Sequence, residues 1–314
     1  MVYSFSADRE VFIGAELECI LWDCEEHELL SDERLLSSVL RELPSYIHRD
    51  YYSWQLEIKT HPHQNPDDLL REVDELYKTA CDEFEREHVL VYPVSAAPFM
   101  LRQMPDEVFC GLHFHISISN ADVRQLARLA TALYPVVLPL AAIAVSSPNE
   151  NDYHSLRLLR SRHISFPPLE PDTLLRAGLS SRYYDIIINS RATAWKSVPT
   201  IEVRFFDSCE GEWLSYVTKC LFFIVQHLDT RGVRRRMKMF QHPENAIGYT
   251  RYAIAKEGIY AFDGFYGDYI KMELAELYKH IGNIPYPASP AIFMQSCCPN
   301  GDYLFQQRER LECE

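Results

Sequence analysis

Gly14-Ala15-Glu16-Leu17-Glu18-Cys19-Ile20 alternates polar and apolar side chains, and its polar positions are carboxylates. Residues two apart on a β-strand share a face. Glu16 and Glu18 therefore point to one side and Leu17 and Cys19 to the other. Three later stretches repeat the pattern: Trp54-Gln55-Leu56-Glu57-Ile58-Lys59, Gly111-Leu112-His113-Phe114-His115-Ile116-Ser117 and Thr200-Ile201-Glu202-Val203-Arg204-Phe205-Phe206-Asp207. Gln55 and Glu57, His113 and His115, and Glu202 and Arg204 pair off in the same way. If these strands lie in one sheet, one side packs on a core and the other carries a wall of metal and phosphate ligands.

Period-two alternation is also what any half-exposed antiparallel strand shows. Solvent faces, however, mix in Lys, Thr, Ser and Gln. Here Glu-x-Glu, His-x-His and Glu-x-Arg recur almost undiluted. Concentrated Glu and His call for a shared partner, so the wall is taken as a functional site.

The motifs reach a family at this point. Phe12-Ile13-Gly14-Ala15-Glu16-Leu17-Glu18 resembles the opening strand of the glutamine synthetase and glutamate–cysteine ligase superfamily, which carries a Gly-x-Glu-x-Glu pattern. Gly111-Leu112-His113-Phe114-His115 resembles its histidine strand, and Trp54 to Thr60 its intervening Glu strand. Pro199 to Asp207 is similar to the Thr-(Ile/Leu/Val)-Glu-Val-Arg-x-x-Asp strand of the bacterial carboxylate–amine ligases. The motifs occur in the family's order between residues 12 and 207. The resemblance implies an α+β, glutamine-synthetase-like catalytic fold: a curved antiparallel sheet with helices on its outer face.

Size and composition agree with an enzyme core. The chain has 314 residues, long enough for a sizeable core. It lacks a run of about eighteen apolar residues, so no transmembrane helix is expected. Met1 to Arg9 lacks the basic-then-apolar order of a signal peptide. The nine cysteines form no Cys-x-x-Cys pair, which favours reduced thiols and a cytoplasmic setting over a disulfide scaffold. A net charge of −14 argues against nucleic acid as a general partner.

Between the motifs, Asn65-Pro66-Asp67-Asp68 has the marks of a helix start. Leu69, Leu70, Val73, Leu76, Tyr77, Ala80 and Phe84 follow at helical spacing. Val89 to Val94 reads as a strand, and Ser95 to Phe99 as a loop that the resemblance places near a substrate pocket. Ala121 to Val145 is an apolar helical stretch that Pro135 and Pro139 should end or kink. Ser146 to Phe166 is loop-rich and holds Arg157, Arg160 and Arg162, and Trp213 to Leu228 reads as a buried helix. The basic run Arg231 to Lys238 is most simply a solvated surface element. No linker divides the chain, so residues 1–230 are expected to form the catalytic core and residues 231–314 a C-terminal helical extension of the same domain.

Joining a carboxylate to an amine requires activation, because a carboxylate ion is a poor electrophile. ATP can phosphorylate it to an acyl phosphate, which the amine then attacks. Divalent ions and fixed arginines stabilise the transferred phosphoryl group. Magnesium or manganese suits carboxylate oxygens with one imidazole, whereas structural zinc favours Cys and His.

Residue by residue, the resemblance implies that Glu16, His113 and Glu202 bind an ion bridging the nucleotide phosphates. It implies that Glu18 and Glu57 bind a second ion that orients the substrate carboxylate. Arg204 would contact the γ-phosphate, Arg191 phosphate or substrate, and Arg162 and His115 the nucleotide. Gln55 reads as structural and Asp50 as a minor additional ligand. The chain departs from its relatives at Ser146 to Phe166, where they commonly carry a longer, Gly-bearing stretch. The expected activity is an ATP- and magnesium-dependent ligation of an amino-acid or peptide carboxylate to an amine. The rivals are a guanidino-kinase-like phosphotransferase and an inactive nucleotide-binding scaffold. The carboxylates and histidines of the wall favour the ligase over both, and a homo-oligomer is left open.

Overall fold

The computed structural model describes residues 9–96, 109–142, 144, 155, 157–158, 170–177, 184–189, 198–228, 252 and 254–256. The expected extension over residues 231–314 lies outside these, apart from 252 and 254–256, as do Arg191, Arg160 and Arg162.

The first strand, β1 (Val11–Asp23), is the spine of an eight-stranded antiparallel sheet. It extends well beyond the quoted motif because both of its edges are used twice. On one edge it pairs with β4 (Gln55–Lys59) and then with the two-residue β2 (Glu28–Leu29). On the other it pairs with β6 (Gly111–Ile118) and then with β5 (Val89–Tyr92). The short β3 (Ile47–Arg49) closes the β4 edge, and β8 (Thr200–Asp207) and β7 (Ile186–Asn189) extend the β6 edge. The order is β3-β4-β1-β6-β8-β7, so the four motif strands stand side by side in one sheet.

The odd-numbered residues of β1 face the helices. Ala15, Leu17, Cys19 and Leu21 belong to one core with Leu56, Ile58, Phe114, Ile116, Ile201 and Val203. The helix α2 (Pro66–Glu85) packs there through Leu69, Val73, Ala80 and Phe84, all buried. Burial of Leu69, Val73 and Phe84 contributes roughly 1.5–3 kcal/mol each, and of the Ala80 methyl less. The side chain of Asn65 accepts from the Asp67 N–H and caps this helix. The shorter α1 (Glu33–Glu42) starts at Asp32, whose carboxylate accepts from the backbone of Arg34 and Leu35.

The helix α3 (Val123–Val137) opens with a reciprocal capping box between Asp122 and Gln125. It runs past Pro135 to Val137 and tightens into a 3-10 turn over Leu138–Ala142. The α-helix ends between the two prolines expected to end or kink it, two residues after Pro135. Pro135 lies in the last turn, where one missing backbone donor is a small loss against the burial of Leu133, Tyr134, Val136 and Val137. The short α4 (Pro171–Ala177) and the apolar α5 (Gly211–His227) complete the helical layer. The α+β architecture expected from the sequence is the one found. Among the described residues, no helix is long and apolar enough to cross a membrane.

Candidate functional site

Register turns the sequence alternation into a two-dimensional array. Glu16 lies opposite Lys59 on β4 and opposite His113 on β6. Glu18 lies opposite Glu57, which in turn lies opposite His48 on β3. His115 lies opposite Gly14 on one side and Glu202 on the other. The wall is buried, not a solvent face: Glu16, Glu18, Glu57, His113, His115 and Glu202 are all under 9% exposed.

Three of these residues converge. Glu16, His113 and Glu202 each offer one ligand atom, and the three atoms lie within 4.8 Å of one another. Carboxylate oxygens with one imidazole suit a hard divalent cation. Burial and the nearby Arg204 and Arg157 push the His113 imidazole below its ordinary pKa despite its hydrogen bond to Glu16, so it is held neutral, as a ligand must be. Burial alone would raise the Glu16 carboxyl. His115, hydrogen bonds from His113 and His115, and Lys59 outweigh it and hold Glu16 well below the usual carboxylate range.

Beside this cluster, β8 departs from regular pairing. Leu112 pairs with Phe206 but Phe114 pairs with Val203, so His113 faces both Arg204 and Phe205. The extra residue is a β-bulge, a device that re-aims side chains. It leaves Glu202 and Arg204 on the wall and turns both Phe205 and Phe206 into the core, where Phe206 meets Phe114 edge-on and Phe205 meets Tyr134. Arg204 Nε sits 3.2 Å from Glu202 Oε1. Its backbone N–H donates to the Asp185 carbonyl at 2.8 Å, and the buried Tyr134 hydroxyl donates to the Asp185 carboxylate.

Glu18 and Glu57 form a second group with other company. Glu57 Oε1 lies 2.6 Å from Lys59 Nζ and 2.9 Å from His48 Nε2. Burial raises the Glu57 carboxyl, but the His48 hydrogen bond and Lys59 outweigh it, and it lies below its ordinary value. Glu18 accepts the Gly111 N–H at 2.6 Å. Burial, with repulsion from Asp50 and Glu57, nonetheless pushes Glu18 up to about 8. Asp50 is itself raised by desolvation and by Glu57, which places it at the border of this group.

Gly111 permits a close approach. A Cβ there would lie 2.2 Å from Arg157 Nη2 and 2.6 Å from its Cζ. Arg157 is buried, donates to the Phe206 carbonyl at 2.9 Å, and has Nη2 3.3 Å from His113 Nε2. Of Arg157, Arg160 and Arg162, Arg157 is the one the described residues place at the wall. Arg162 and Arg191 lie outside the described residues.

Lys59, His48 and Asp185 were not singled out as site residues from sequence. Period two already placed Lys59 on the Glu57 face, so its signal was present. Arg157 sits in an aperiodic stretch, with nothing to separate it from Arg160 and Arg162.

No protein-family model matches the chain, and no curated protein matches it. Among solved structures, a bifunctional glutathione synthetase from Pasteurella multocida is similar with a TM-score of 0.59 at 14% identity, over 93% of this chain and 48% of that one. A glutamine synthase homolog described as novel aligns with a TM-score of 0.43 at 14% identity, over 87% of this chain and 71% of that one. The complex between prokaryotic ubiquitin-like protein Pup and its ligase PafA aligns with a TM-score of 0.49 at 10% identity, over 91% and 61%. What is shared with the glutathione synthetase is the fold, and the chain spans about half the length of that protein.

Proposed function

We propose that this chain is an ATP- and magnesium-dependent carboxylate–amine ligase that forms an amide through an acyl phosphate, acting on an amino-acid or peptide carboxylate. The observation that carries the reading is the buried Glu16–His113–Glu202 cluster with Arg204 beside it. The fold shared with a glutathione synthetase supports the same class.

Glu16, His113 and Glu202 would hold magnesium or manganese, which when bound neutralises polyphosphate charge and draws charge from the transferred phosphoryl oxygens. Arg204 reaches the same face from the bulge and donates to those oxygens. Its fixed planar fork favours the transition state over the ground state. The Asp185–Tyr134 support beneath it holds β7 and β8 in register, so the guanidinium is placed before substrate arrives. Arg157 keeps positive charge next to Glu18. His115, 3.0 Å from Glu16 Oε1, orients that carboxylate and borders the nucleotide. Glu57 lies on the substrate side of the wall. Arg191 and Arg162 are further candidates for phosphate and nucleotide contact.

In the first step a carboxylate oxygen of the substrate attacks the γ-phosphorus of ATP and ADP leaves. In the second the amine attacks the acyl carbon, phosphate leaves and the amine loses a proton. A screen of ADP release over amino acids and amines with magnesium, read by mass spectrometry, tests the reading. ADP release that requires both a carboxylate and an amine and yields their amide supports it. ADP release with phosphate transferred to a guanidino nitrogen would instead establish the phosphotransferase.

A further inference from the structure

The wall contains a cation of its own that the ligand scheme above does not use. Lys59 follows Glu57 by two residues on β4, so both share the wall face. Its Nζ lies 2.6 Å from Glu57 Oε1 and 3.2 Å from Glu16 Oε1. Glu57 Oε1 also receives His48 Nε2 at 2.9 Å. Two donors thus converge on one oxygen of Glu57.

Glu16 divides its oxygens between the two halves of the wall. Oε1 faces Lys59 and His115, at 3.2 and 3.0 Å, while Oε2 faces His113 at 3.5 Å. An ion at the Glu16–His113–Glu202 cluster can take the second oxygen without displacing Lys59. An ion shared by Glu16 and Glu57 through their Oε1 atoms would have to displace the ammonium that bridges them. Glu18, the other ligand such an ion would use, is served by the Gly111 N–H. A divalent ion beside the ammonium would meet like charge at short range, weakened but not removed by the partial exposure of Lys59.

We propose that Lys59 is a built-in second cation of the wall, so that the site takes one divalent ion where Glu16, Glu18, Glu57 and Glu202 would otherwise take two. This rests on the ligase reading of the Glu16–His113–Glu202 cluster. In that reading Lys59 is a positioning residue. It fixes the orientation of Glu57 and Glu16 and supplies half of the charge an ion would bring, permanently and without dependence on metal concentration.

Titration of the whole chain with Mn2+ alone, following loss of the free-ion electron paramagnetic resonance signal, tests it. Wild type should bind one ion. Lys59→Met keeps the aliphatic stem, removes the charge and should bind two, with the second site tightened about tenfold or more over wild type. Lys59→Arg restores the charge and should return the count to one. Two ions of comparable affinity in wild type, or one ion in Lys59→Met, would overturn the proposal. The second result would mark Lys59 as merely structural. Should Lys59→Met not fold, Lys59→Gln takes its place with the same counts expected. No bound Mn2+ in wild type would overturn the ligase reading itself, which separates the two failures.

Discussion

Replacing Gly111 by alanine tests whether Arg157 is clamped to the wall. The added methyl would sit 2.2 Å from Nη2 and 2.6 Å from Cζ of Arg157, far inside contact distance, so the guanidinium must move by more than an ångström. Arg157 is 3% exposed and bonded to the Phe206 carbonyl, so it has little room to yield. Overpacking a filled interior costs about 1–3 kcal/mol, and weakening a hydrogen bond from a buried charged group costs about 1.5–3 kcal/mol. Loss of glycine's freedom in the unfolded chain returns about 0.5–1 kcal/mol. Gly111→Ala should therefore destabilise by roughly 2–5 kcal/mol in urea unfolding. In an Arg157→Met background, which leaves space for the methyl, the same substitution should cost less than about 1 kcal/mol, so the two changes should be strongly non-additive. A Gly111→Ala protein within about 0.5 kcal/mol of wild type, or simple additivity with Arg157→Met, would refute the clamp.

Glu202→Gln should abolish turnover while leaving the metal-free protein as stable as wild type or slightly more so, because it relieves a crowd of carboxylates; unfolding of the variant by circular dichroism would make Glu202 a structural partner instead. Arg204→Lys should lower kcat on the order of a hundredfold or more and weaken ATP binding less, whereas wild-type kcat with unchanged ATP affinity would leave Arg204 as no more than an ion-pair partner of Glu202. Glu18 sets a pH dependence. Its carboxyl is near 8 in the fold against an ordinary 4.5, so the native state holds a proton that the unfolded chain releases. Its stabilising contribution is full below about 4.5 and is lost as pH rises through about 8. The urea stability of metal-free wild type relative to Glu18→Gln should thus fall from pH 5 to pH 9, and a flat difference would contradict the assignment.

The parts of the fold that could be seen in sequence are those with a strong local period. Glu16-x-Glu18, Glu57, His113-x-His115 and Glu202-x-Arg204 marked four strands and one face of each, and Asn65-Pro66 with the Leu69 to Phe84 stripe marked a helix. The bulge could not be seen, because strict alternation from Arg204 would put Phe206 on the wall. Only pairing with β6 shows that His113 faces two residues and that Phe206 turns inward. The short strands β2 and β3 span too few residues to show a period. Pro135 and Pro139 marked the end of the α-helix, which falls between them at Val137. Lys59 was on the right face by parity, but its contact with Glu16 depends on the β1–β4 register. Arg157 reaches His113 from 44 residues away in sequence, through a segment with no pattern of its own.

The central claim is that the wall formed by β1, β4, β6 and β8 is a divalent-cation and nucleotide site. Thermal unfolding with magnesium or manganese and a non-hydrolysable ATP analogue tests it most directly, because a ligand that binds the native state stabilises it in proportion to its affinity. Metal and analogue together should raise the melting temperature clearly more than either alone, and Glu202→Gln should lose that synergy. The absence of any shift in the wild type at millimolar metal and analogue would contradict the claim.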